Sequence, residues 1–183
     1  MVRYQYAKNE HGEIVKAVDL VGIEDKAKYI CIGCDNPLIA KVNGKINKPH
    51  FAHKTVLECN GETYLHRLGK RAFFETYQRC LTENKPFYIT FHVPKKCQKF
   101  KRTIRKYCDL GYTEKCFDLT NYFSQIQVEK RHDQFIPDLL LTRQNNAEDC
   151  IYIEIAVTHF LSEKKESSGK RMIEIPLDCE EEV

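Results

Sequence analysis

Apolar positions along this chain recur with two different periods. From Glu62 to Leu81 the sequence reads ETYLHRLGKRAFFETYQRCL. Leu65, Phe73, Tyr77 and Cys80 form a stripe at helical spacing, and Arg67, Arg71, Glu75 and Gln78 lie mostly opposite it. This predicts a helix over 62–83, stopped by Asn84-Lys85-Pro86. Elsewhere the apolar runs are short and strand-like. Residues 3–19 predict a hairpin around Asn9-Glu10-His11-Gly12. Residues 28–54 predict a second one, YICIGC and LIAKV turning at Asn43-Gly44 into KINKPHFAHK. Further strands are expected at 87–93, about 117–129, 136–142, 150–157 (CIYIEIAV) and 171–177, with a second helix starting in 161–168. The order predicts an α/β or α+β fold, with a hairpin module over 1–60 and a core over 61–183.

One feature of the helix is not explained by packing. Glu62, His66 and Lys70 follow one another at i, i+4 and i+8, on the apolar stripe rather than the charged side. Charged groups that face the protein must be paired, hydrated in a cleft or bound to metal. The helix therefore reads as one wall of an active site.

Composition narrows the setting. With 183 residues, a net charge of +3 and no apolar run near twenty residues, the chain reads as a soluble, cytoplasmic protein with no membrane partner. It has nine cysteines. Without a secretory signal pattern, these point to thiols or metal ligands rather than a disulfide framework. The charge is uneven: Lys95, Lys96, Lys99, Lys101, Arg102, Arg105 and Lys106 form a basic run, while residues 178–182 are acidic.

Cys31-Ile-Gly-Cys34 is a knuckle whose two thiolates can grip one ion. His50-Phe-Ala-His53 and Cys59 lie at the far end of the hairpin that returns to it. Five candidate ligands thus compete for four positions of a structural Zn2+. His50 and His53 point to opposite faces of a strand, so one of them is spare. Cys97, Cys108 and Cys116 have spacings that match no standard knuckle, and a second metal site there would need a fourth ligand such as Cys80 or His92.

A second constellation is acidic. Pro137-Asp138 opens the strand DLLL, and Glu154 interrupts the apolar strand IYIEIAV. Two carboxylates on neighbouring strands, with Glu62 from the helix, make an oxygen set for Mg2+ or Mn2+. The matching chemistry is phosphodiester hydrolysis, with a nearby cation to offset charge.

Taken together, CIGC, HFAH, Cys59, Glu62-x-x-x-His66-x-x-x-Lys70, the distant Asp138 and IEIAVTH…SEKKESSGKRMIEI resemble the CoiA-like competence-protein family. The resemblance covers residues 3 to about 177. It implies a zinc-finger module followed by a restriction-endonuclease-like PD-(D/E)xK nuclease core with a mixed sheet. Glu62 is then the helix carboxylate, Asp138 the first metal-binding acid and Glu154 the second. The family pattern asks for Glu-x-Lys or Glu-x-Gln, and this chain has Ala156 in the third position. Lys70 or Lys165 would have to supply the missing cation, and Thr158 and His159 are further candidates for the lining. The implied partner is DNA, single-stranded or branched forms included. The basic run 95–106 would carry salt-sensitive phosphate contacts, flanked by Phe100 and Tyr107 for stacking. The competing expectations are an inactive nucleic-acid-binding module on a degenerate nuclease fold and a zinc-stabilised interaction domain.

Overall fold

A computed structural model describes residues 4–23, 27–55, 59–97, 108–158 and 168–183. The fold is mixed α+β, mostly sheet, with one long helix among the described residues. The first sheet is antiparallel, in the order β2-β1-β3-β4-β5. Its strands are β1 (Tyr6–Lys8), β2 (Ile14–Lys16), β3 (Tyr29–Ile30), β4 (Pro37–Lys41) and β5 (His50–His53). The β1–β2 hairpin turns where expected. Asn9 Oδ1 accepts from the backbone N–H of His11 and of Glu13, and Gly12 supplies the φ of +79° that the turn requires. The sheet curls so that Tyr4 exchanges backbone hydrogen bonds with Phe51 of β5.

The Asn43-Gly44 turn is not where the second hairpin reverses. Lys41 pairs with His50, so residues 42–49 form one connecting loop between β4 and β5. Pro49 ends that loop, and its missing N–H keeps the ladder from extending one residue past the Lys41–His50 pair.

Helix α1 spans Gly61–Thr82. The Asn60 side chain caps it by accepting from Glu62 N at 2.9 Å. Its buried face is Tyr64, Leu65, Leu68, Gly69 and Tyr77. That face lies on a second sheet of order β11-β10-β9-β8: β8 (Gln125–Val128), β9 (Leu139–Arg143), β10 (Asn146–Ala156) and β11 (Met172–Pro176). β10 and β11 run parallel and the other pairs antiparallel, which makes the sheet mixed. Leu139, Leu141, Ile153, Ile155 and Ile173 meet the helix in the main core. The residues between them, Leu140, Cys150 and Tyr152, pack with Phe135 and Met172 on the other face. Gly69 is required here. A Cβ on it would stand 2.6 Å from Leu177 Cδ2 and 3.2 Å from Ile155 Cγ2.

Between helix and second sheet the chain makes a two-stranded ribbon, β6 (Tyr88–Cys97) and β7 (Cys108–Asp118), paired only with each other. The sequence pattern gives a strand over 87–93 and leaves 95–116 unassigned, because lysines there interrupt the alternation. The strand expected over 117–129 is broken by a helical turn at Leu119–Asn121, where Asp118 caps Thr120 N. The helix expected from 161 lies outside the described residues. At the far end, Glu180 accepts two hydrogen bonds from Gln5 N at 3.1 and 2.9 Å, tying residues 175 positions apart.

Candidate functional site

β3 delivers Cys31 into a tight turn. Cys31 N donates to Asn36 O, Asp35 N donates to Cys31 O, and Asp35 takes φ +57°, which Asp tolerates better than most residues. β5 returns His53 to the same point. The ligand atoms of Cys31, Cys34, His53 and Cys59 all lie within 4.8 Å of one another. Cys34 Sγ is 3.2 Å from His53 Nε2, and Cys31 Sγ is 3.7 Å from Cys59 Sγ. Three sulfurs and one imidazole suit Zn2+. Burial pushes the Cys31 thiol up to about 12. Burial acts in the same direction on Cys34, but hydrogen bonds from Asn36, His53 and Cys31 outweigh it and bring that thiol down to about 6. The Tyr4 hydroxyl is buried beside these sulfurs and is the one buried side-chain oxygen or nitrogen without a hydrogen-bond partner among the described residues. Metal-bound thiolates are acceptors for such a donor. Of the two candidate histidines, His50 stands apart: its Nδ1 is 2.8 Å from Lys48 O, and it does not join the group.

The second site lies where α1 crosses the mouth of β9 and β10. Asp138 immediately precedes β9, and its side chain takes the position of a missing ladder partner. Oδ2 accepts from Ile155 N at 2.9 Å and from His66 Nε2 at 2.9 Å. Lys70 Nζ is 3.7 Å from Oδ1 and also pairs with Glu129. Asp138 and Lys70 expose only 14% and 12% of their side chains, so this is a partly desolvated pair and not a surface one. Burial raises the Asp138 carboxyl, but His66, Ile155 N–H and Lys70 together hold it below the usual carboxylate value. Glu62, one turn earlier on α1, accepts from the Thr158 hydroxyl.

Residues 14–62 match a family model described as "Competence protein CoiA, N-terminal domain". Over that segment the chain is similar to the CoiA-like competence proteins. The matched segment contains the complete set of three cysteines and one histidine and ends at Glu62, inside the first turn of α1. No curated protein and no solved structure matches the chain. None of the described helices is long and apolar enough to cross a membrane.

The CoiA-type segment and the core thus contribute differently to what the sequence singled out. His66, Lys70 and Asp138 are brought together. Glu154 is half-buried, and strand alternation puts it on the face of Cys150 and Tyr152, level with Glu174 of β11 and away from α1. Ile153 and Ile155 take the helix face, which leaves Glu154 the other. Glu62, Asp138 and Glu154 accordingly do not gather their oxygens within the 4.8 Å that the cysteine–histidine group meets. Ala156 is buried. Lys165 and His159 lie outside the described residues, as do Lys99, Lys101, Arg102, Arg105 and Lys106 with Phe100 and Tyr107. Lys95 and Lys96 are exposed on β6. Cys116 is an exposed free thiol on β7, and the described residues contain one metal-capable group. Sequence reasoning missed Glu129, which reaches Lys70 from the loop after β8; no local pattern marks it, because its role comes from the β8–β9 pairing.

Proposed function

We propose that this chain is a zinc-stabilised nucleic-acid hydrolase whose reaction centre is Asp138, His66 and Lys70. The observation that supports it is the meeting of a helix histidine and lysine on one half-buried carboxylate beside a mixed sheet. Asp138, as a carboxylate, only accepts, so His66 carries its proton on Nε2 and leaves Nδ1 as the basic nitrogen. His66 remains 32% exposed, open to water and substrate. In the proposed reaction Nδ1 takes a proton from water as the water oxygen bonds to phosphorus, and the P–O bond to the leaving strand breaks with its electron pair going to the leaving oxygen, which takes a proton from solvent. Lys70 offsets the charge that builds on the phosphoryl oxygens. It is the cation that Ala156 does not supply. A hard divalent ion such as Mg2+ or Mn2+, when bound, would polarise the phosphate, and Asp138 is the residue that would hold it. The sparse donor set suits an ion that keeps waters and binds substrate phosphate. Glu62 and Glu154 do not complete a closed cage around Asp138, so they are not assigned as ligands of the same ion.

The zinc module is structural in this reading: four protein ligands leave no open position. Cleavage of labelled single-stranded, duplex and branched DNA with Mg2+, with Mn2+ and with chelator tests the proposal. Asp138→Ala, His66→Ala and Lys70→Ala should each lower the rate by about a hundredfold or more while folded content and zinc stay at wild-type levels. A second reading, binding without turnover, is favoured by Ala156 and by the position of Glu154. It prevails if the wild type binds DNA and cuts none of the three forms.

A further inference from the structure

A cavity of about 490 Å3 lies between the metal knuckle and α1, and it opens onto the proposed reaction centre through Lys70 and Glu129, which belong to both. Its floor is a helix face: Arg67, then Lys70 and Arg71 one turn on, then Phe74. One wall is Lys8 of β1 with the knuckle residues Ile32 and Asp35. Four cations thus meet in one groove. The carboxylates within it are three: Asp35, Glu75 and Glu129. Asp35 is shared, because Lys8 and Arg67 both pair with it. Arg71 bridges to Glu75 and donates to Gly12 O in the β1–β2 turn.

We infer that this groove holds one phosphodiester strand of the nucleic acid and leads it into the reaction centre. The inference rests on the proposed nucleic-acid reading and adds the place where the strand lies. The argument is charge and size. Each of the four cations has a carboxylate partner, but Lys8 and Arg67 share Asp35, so that corner of the groove carries one positive charge more than it carries negative, which favours an anionic ligand over a neutral one. Guanidinium groups match phosphate bidentately. Phe74, half-buried on the same face, offers an apolar surface for a base or sugar. A cavity of this volume is on the scale of a small ligand. Asp35 occupies the cation pair that a phosphate would take, so it acts as a built-in competitor. The strand binds by displacing it from Lys8 and Arg67.

The test is fluorescence anisotropy of the full chain with a labelled single-stranded oligonucleotide over a salt series. Arg67→Ala and Lys8→Ala should each weaken binding by about tenfold at low salt. Each should also flatten the log affinity against log salt slope by about 0.7. Asp35→Asn keeps the side-chain shape and tolerates positive φ, and it should tighten binding, a result that a merely structural role for Asp35 would not give. Arg71→Ala also removes the contact to Gly12, so Arg71→Lys, with zinc content checked, accompanies it. If Lys8, Arg67 and Asp35 variants all bind as wild type while Lys95→Ala with Lys96→Ala removes binding, the groove is overturned and the nucleic-acid reading stands. If wild type binds no nucleic acid at any salt, both are overturned. Groove-dependent binding without cleavage sustains the groove and overturns the hydrolase.

Discussion

The cysteine–histidine group and the Asp138 cluster are held in place by opposite means. The first gathers four ligands between residues 31 and 59, in and beside strands of two to five residues. The second joins His66 to a carboxylate 72 residues away across a helix–sheet core rich in leucine and isoleucine. One region brings together ligands that could hold a metal; the other brings its polar groups together by packing. The contrast teaches where to expect fragility. Local ligand sets fail when the ion leaves, and distant ones fail when the core loosens.

The largest effect should come from the metal. Chelation or Cys34→Ser should unfold β1–β5, on the ~10 kcal/mol scale of structural zinc, while amide exchange in α1 and β8–β11 stays slow. If both regions lose protection together, the contrast fails. Leu68 is fully buried in the core, so Leu68→Ala should cost about 2–5 kcal/mol in urea unfolding and leave zinc stoichiometry unchanged. Gly33→Ala probes the seam. Its Cβ would stand 2.8 Å from Tyr64 Cβ and 2.9 Å from Tyr64 Cα, a helix backbone that cannot swing away. It should cost about 1–3 kcal/mol and shift the knuckle on α1 without removing any ligand, read as altered zinc affinity.

The smallest effect is a pH slope. The folded-state carboxyl of Asp138 titrates below its ordinary value. Its stabilising contribution is therefore fully present above about pH 4, the unfolded value, and is lost as pH falls through the lower folded one. The stability difference between wild type and Asp138→Asn should shrink on acidification below that point. Comparing the two proteins at the same pH cancels the acid loss of zinc that both share. A difference that stays constant down to pH 2 would mean that His66 and Lys70 do not hold the charge.

What was legible in the sequence follows the same division. The knuckle, His53 and Cys59 are a spacing pattern, and strand alternation already implied that one histidine was spare; the fold selects His53. The helix, with His66 and Lys70 on its inner flank, was legible because 3.6-residue periodicity is strong over twenty residues. Pro137-Asp138 was legible as the start of a strand. The face of Glu154 was readable in principle, since Ile153 and Ile155 beside it claim the core, but the family pattern drew attention to its charge instead. The β6–β7 ribbon was hidden by lysines, and Glu129 by the absence of any local signature. The Asn43-Gly44 dipeptide misled because a good turn signal competes with Pro49, which keeps the return strand from starting early.

The bond from Gln5 to Glu180 also sets an order of events during synthesis. The knuckle ligands are all translated by residue 59, and the first sheet can close on its metal as soon as they emerge. The brace that fastens the amino-terminal strand to the rest cannot exist until residue 180 has been made. Loop closure over so long a separation adds only modestly to the entropic cost, so the delay is one of translation time rather than of free energy. Until then the first sheet is fastened to the rest through α1, by Tyr64 on Tyr6 and Arg71 on Gly12, so the carboxy-terminal brace is the last of its ties to form.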